Sequence, residues 1–136
     1  MPGTVAATLD QSFPATPREV AHIRHAVVEA AADAGVAAGR RDDIGLAVSE
    51  AATNVVVHAY RDSARPGAIR IVAEAARDRF DVVISDTGRG LGPRPDSPGL
   101  GLGLPLITML ADAVEFRSAD PDGGTELLLH FATASA

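Results

Sequence analysis

Apolar and polar positions change their period several times along the chain, and each change marks an element. From Val5 to Phe13 the pattern suggests a strand, closed by Pro14 and Pro17. Val20, Ile23, Val27, Val28 and Ala31 then recur at spacings that predict an amphipathic helix from Pro17 to Ala34. Thr16 would be its N-cap, Glu19 would complete a capping box, and Gly35 would stop it. A second helix is expected from near Asp42 to about Tyr60, with Ile44, Val48, Ala51, Val55 and Ala59 on one stripe. Val55-Val56-Val57 suits a strand as well; helix is preferred because the 3.6-residue period runs unbroken from Ile44.

After a turn at Pro66-Gly67 the period becomes two. Ile69, Ile71 and Ala73 alternate with Arg70, Val72 and Glu74, and Phe80, Val82 and Ile84 alternate with Asp81, Val83 and Ser85. With "ARDR" between them, these segments predict an antiparallel hairpin. Thr87 to Gly103 is too rich in glycine and proline for either regular element, and connections that long are usually functional or disordered. Leu104 to Ala113 resumes helical spacing, with Pro105 in its first turn. Val114–Ser118 and Thr125–Phe131, joined by "ADPDGG", predict a last hairpin. No internal repeat or second domain is visible, so residues 1–136 are expected to form one domain. Its class is α+β: a two-layer α/β sandwich with helices on one face of a mostly antiparallel, mixed sheet.

Composition narrows the chemistry. A chain of 136 residues is long enough to close a hydrophobic core without staples, and it has no cysteine for a disulfide, a zinc thiolate or a thiol nucleophile. The net charge is -6 and all 12 basic residues are arginine, with no basic run beyond Arg40-Arg41, which argues against a nucleic-acid surface. Without lysine there is no P-loop, so a nucleotide would have to be held by backbone amides, a metal or arginine. Neither a signal-like N-terminus nor about 18 uninterrupted apolar residues occur, so a cytoplasmic protein outside the membrane is expected.

Four stretches carry candidate chemistry. Glu50, Asn54 and His58 recur every fourth residue, drifting only about 40° per step around a helix, and so share one face opposite the apolar stripe. Such a row is also what a solvated helix face looks like. "DTGRG", Asp86 to Gly90, ends an apolar strand with a carboxylate beside glycines; it would suit an exocyclic amino group on a flat ligand, or an Asx turn. "GLGLGLPLI", Gly99 to Ile107, leads glycines into a helix, where free N–H groups suit phosphates. Neither glycine cluster has the Rossmann spacing, since Pro93 and Leu106 occupy the sixth positions. "GGT", Gly123 to Thr125, opens the last strand with a hydroxyl that could second the aspartate.

With these four blocks in this order, the sequence resembles the GHKL ATPases, whose Bergerat fold binds ATP between a helical layer and a sheet. Glu50 and Asn54 resemble the N box, "DTGRG" the G1 box, Gly101 to Leu104 the G2 box and Gly123 to Thr125 the G3 box. "SEAATN", "HAY" and the first-helix stretch "EVAHIRHAV" are most similar to the RsbW-type anti-sigma-factor serine kinases. The resemblance implies that Glu50 is the catalytic base and that Asn54 holds Mg2+. It also implies that Asp86, with Thr125 beside it, receives adenine, that Gly88 and Gly90 allow close approach, and that Gly101, Leu102, Gly103 and Leu104 wrap the phosphates. Thr87 and Pro105 depart from the family's frequent residues, and Arg89 or Arg94 would be available to neutralise phosphate. The implied activity is transfer from ATP to serine or threonine of a STAS-type anti-anti-sigma partner by a homodimeric protein that otherwise sequesters a sigma factor. An ATP/ADP-switched binding module without phosphotransfer, and a related kinase that activates a phosphatase, are the rival readings.

Overall fold

The computed structural model describes residues 6–59, 67–86, 104–118 and 124–133. The chain runs β1 (Ala6–Pro14), α1 (Glu19–Asp33), α2 (Ala38–Asn54), a π-helical turn (Val55–Ala59), β2 (Ala68–Ala76), β3 (Arg79–Asp86), α3 (Leu104–Leu110), β4 (Ala113–Ser118) and β5 (Thr125–Ala132). The strands form one sheet in the order β1-β2-β3-β5-β4. The α+β sandwich is the expected one, and among the described residues every pairing in its sheet is antiparallel rather than mixed.

The core follows from two periodicities meeting. Alternate strand residues Ile69, Ile71, Ala73, Phe80, Val82, Ile84, Leu127, Leu129 and Phe131 are buried in one cluster with the helical stripe Ile23, Val27, Ile44, Val48, Ala51 and Val55. Burying one such aliphatic or aromatic side chain stabilises the fold by roughly 1.5–3 kcal/mol before entropy is counted. The two long helices approach closely where Gly45 faces Val28: a Cβ at Gly45 would lie 2.9 Å from Val28 Cγ2.

Helix ends differ from the sequence reading. The capping box does not form: Arg18 is the N-cap of α1 and makes no side-chain cap bond, while Glu19 instead accepts from His22 Nδ1 at 3.2 Å. A turn precedes the helix, with Glu19 N donating to Thr16 O at 3.0 Å. Gly35 does end α1, at φ 86°, where a side chain would be strained. α2 begins earlier than expected, at Ala38, and its α geometry stops at Asn54. Ser49 Oγ donates to Gly45 O and Thr53 Oγ1 to Ser49 O, both at 2.8 Å, back-bonds of the kind that bend helices just ahead of such a π-turn. α3 ends at Leu110, because Ala113 already pairs with His130 in the sheet.

On the sheet face away from the helices, His130 of β5 bridges two neighbouring strands. Its Nδ1 lies 3.1 Å from Asp81 Oδ1 on β3 and its Nε2 2.7 Å from Glu115 Oε2 on β4. Partial burial alone would push the imidazole pKa down, but the hydrogen bonds it donates to Glu115 and Asp81 outweigh that and hold its pKa above the ordinary value.

Two outcomes are expected. A folded-state pKa above the unfolded value means that the His130 contribution is complete below about pH 6.5 and disappears as pH rises through the folded pKa. Urea unfolding should therefore show His130→Asn less stable than wild type by on the order of 1 kcal/mol at pH 5.5, with the gap closing by pH 9; a gap that is constant across this range would refute the bridge. Gly45→Val should lower stability by about 1–3 kcal/mol through overpacking against Val28, measured by the shift in urea midpoint.

Candidate nucleotide site at one end of the sandwich

Strand parity decides what faces the helices at the end of β3. The alternation that buries Phe80, Val82 and Ile84 continues to Asp86, the last residue of the strand, which is only 3% exposed. Across the ladder Asp86 pairs with Thr125, the first residue of β5, 7% exposed and on the buried parity of Leu127 and Leu129. A carboxylate and a hydroxyl thus sit side by side beneath the helical layer.

α2 brings the third group. Arg40 in its first turn donates to Ala132 O at the far end of β5, so α2 runs back along the strand toward Thr125. The last residue of α2 therefore stands about 21 Å from Arg40, at 1.5 Å per residue along the helix. Asn54 is that last residue and is 8% exposed. Glu50, one turn earlier, is half-buried.

The buried polar or charged residues among those described are Asn54, Asp86 and Thr125. Burying such groups is costly, and the interior otherwise consists of aliphatic and aromatic side chains. All three belong to the set singled out from sequence: Asp86 and Thr125 are paired across β3 and β5, and Asn54 closes the α geometry of α2. The row Glu50, Asn54, His58 is not one α-helical file, because the π-turn starting at Val55 resets the phase between Asn54 and His58. The side chains of His58 and Leu104 lie outside the described residues, as do Gly88, Arg89, Gly90, Arg94, Gly101, Leu102 and Gly103.

Two grooves of about 410 and 440 Å³ lie elsewhere, one lined by Arg24, Val28, Arg41 and Leu46 and the other by Phe13, His22 and His25. Neither is lined by a buried polar side chain, so the chemistry is assigned to the Asp86 end. The donor types there fit a metal-bound nucleotide: the Asn54 amide oxygen is a hard ligand suited to Mg2+, and the Asp86 carboxylate accepts from an amino group.

Comparison with known proteins gives the same direction. The model of the family described as "Histidine kinase-like ATPase domain" matches residues 13–131. The Staphylococcus epidermidis protein named "Serine-protein kinase RsbW" is 35% identical over 121 residues, covering 78% of this chain and 76% of its own length. A Bacillus cereus protein of the same name is 34% identical over 122 residues, covering 79% and 75%. Among solved structures, the RsbU and RsbW domains of a Mycobacterium tuberculosis protein match with a TM-score of 0.70 at 22% identity, over 94% of this chain and 34% of theirs. The histidine kinase domain of a blue-light activated kinase from Erythrobacter litoralis matches with a TM-score of 0.57 at 22% identity, over 89% and 62%. These two likenesses concern the fold.

Replacing the Asp86 carboxylate by an amide keeps the volume and removes an ionised acceptor. Asp86→Asn should weaken ATP binding at least tenfold in calorimetry, while the circular dichroism spectrum and unfolding midpoint stay close to wild type. Undiminished affinity would remove Asp86 from the site.

Proposed function

The chain belongs to the histidine kinase-like ATPase domain family, and from that premise we propose that it is an ATP-dependent serine/threonine protein kinase that doubles as an anti-sigma factor. The observation that carries the reading is the burial of Asn54, Asp86 and Thr125 together. Each matches a position where the family holds nucleotide, on a chain about a third identical to named serine kinases over most of its length.

In this reading the adenine amino group donates to Asp86, with Thr125 beside it. Gly88 and Gly90 allow the purine a close approach, and Gly101, Leu102, Gly103 and Leu104 wrap the phosphates. Asn54 would hold Mg2+, which supplies positive charge against the phosphate oxygens when bound. Glu50 sits one turn before Asn54 and only half-buried, so it is open to a protein substrate. It takes the proton of a serine or threonine hydroxyl as that oxygen bonds to the γ-phosphorus, while the bond from the γ-phosphorus to the β–γ bridging oxygen breaks and ADP departs.

The substrate is a STAS-type anti-anti-sigma protein, and the unphosphorylated partner competes with a sigma factor for the kinase. The working unit is a homodimer. No described helix is long and apolar enough to cross a membrane; we place the protein in the cytoplasm.

The test uses labelled ATP, Mg2+ and the STAS-type protein encoded nearest to this chain. Wild type should label the partner, and Glu50→Gln should lower the rate by about 10²–10⁴-fold while leaving ATP affinity within a few-fold. Transfer that survives Glu50→Gln would remove the base. Nucleotide-dependent partner binding without transfer in wild type would favour the switch without chemistry.

A further inference from the structure

At the end of the sandwich opposite Asp86, one arginine joins three elements. Arg40 Nε donates to Ala132 O of β5 at 3.1 Å, and Nη1 donates to Asp43 Oδ2 at 2.9 Å and to Leu110 O of α3 at 2.8 Å. Nη2 donates to Asp112 Oδ2, and that same oxygen accepts from Ala132 N at 2.7 Å. The guanidinium carbon stands 5.2 Å from the centre of the Phe131 ring, itself fully buried. Asp112 N completes the knot by donating to His130 O at 2.8 Å. The backbone bond from Ala132, together with the charge and hydrogen bond of Arg40, holds the Asp112 carboxyl below its ordinary pKa, so Asp112 stays an ionised acceptor at neutral pH.

α3 is a short helix whose last carbonyl is held by this knot. It has seven residues, too few to be stable alone, and Ile107 is its one fully buried side chain among those described. Met109 on the same helix is 81% exposed. Leu110 packs only partly against the core, and Arg40 fixes that end of α3 by donating to its terminal carbonyl, where a cation also opposes the helix dipole. The other end of α3 is Leu104, about 10 Å away at 1.5 Å per residue, which closes the Gly101–Leu104 sequence.

We infer that Arg40 is a positioning residue for nucleotide binding: by fixing the Leu110 end of α3 against α2 and β5, it sets where the Leu104 end meets the phosphates. The inference rests on the ATP-binding reading given above. Lysine cannot replace it, since a compact ammonium does not present a planar fork to acceptors on three elements.

Steady-state kinetics of Arg40→Gln, Arg40→Lys and Asp112→Asn in the full chain test this. The KM for ATP should rise about tenfold in both Arg40 variants and several-fold in Asp112→Asn, with kcat at saturating ATP within twofold of wild type. Lysine should fail to rescue, and hydrogen exchange of the α3 amides should accelerate. Mere loss of folded protein would lower apparent kcat and leave KM alone, which would overturn the inference, as would an unchanged KM alongside faster α3 exchange. Should Arg40→Gln not fold, Asp112→Asn decides alone, because it leaves the guanidinium and its other three hydrogen bonds in place. Wild type that binds no ATP would sink the ATP-binding reading itself; unchanged affinity in variants of a wild type that does bind would sink only the role of Arg40.

Discussion

The fold and the site both depend on one geometric constraint, the period of two along a strand. Once Phe80, Val82 and Ile84 point toward the helices, Asp86 must point there as well. The same parity carries Thr125 inward with Leu127, Leu129 and Phe131. A carboxylate at the edge of an apolar interior opposes folding through desolvation, so an ordinary strand would end one residue earlier or with an apolar side chain. Its retention at that position, paired with the buried Thr125, is the kind of local conflict with the packing rule that marks a functional site.

The helical layer answers the same constraint from the other side. α2 is built from small residues on its buried stripe, Ala47, Ala51 and Ala52 among them, which lets it lie close to the sheet. Its length matches β5, so its two ends serve different purposes. At one end Arg40 ties it to Ala132, Leu110 and Asp112; at the other Asn54 closes the α geometry and a π-turn begins. Extra residues in a helical turn are common beside functional sites because they re-aim side chains without breaking the backbone ladder.

Charge on the outer sheet face is organised in pairs within the chain. Asp10 meets Arg70, Arg79 meets Asp81, and His130 spans Asp81 and Glu115. These contacts couple β1 to β2 and β3 to β5 and β4, and being partly exposed they contribute modestly beside the core. The Asp10–Arg70 and His130 contacts reinforce register, since they are satisfied only when the strands are aligned as they are, and a slip by one residue would turn every buried strand side chain outward.

Local periodicity was enough to read the order of elements, the apolar stripe of α2, the two hairpins and the Gly35 stop, because each depends on residues within a few positions of one another. Glu50, Asn54, Asp86 and Thr125 were legible as candidates for the same reason, each standing out against an apolar run or beside glycines. Propensity could not decide the start of α1, where Glu19 had a choice between reaching back to Thr16 and pairing with His22, nor the end of α2, where hydroxyl back-bonds and packing outcompeted a regular turn. Arg40, Asp112 and His130 gave no local signal of the contacts that join elements, since those partners lie 15 to 92 residues away. The sequence by itself determined which face of each element is apolar. Only the tertiary structure decided which polar residues share an end of the sandwich, because that follows from the strand order and the direction in which α2 crosses the sheet, and neither is written in any local window.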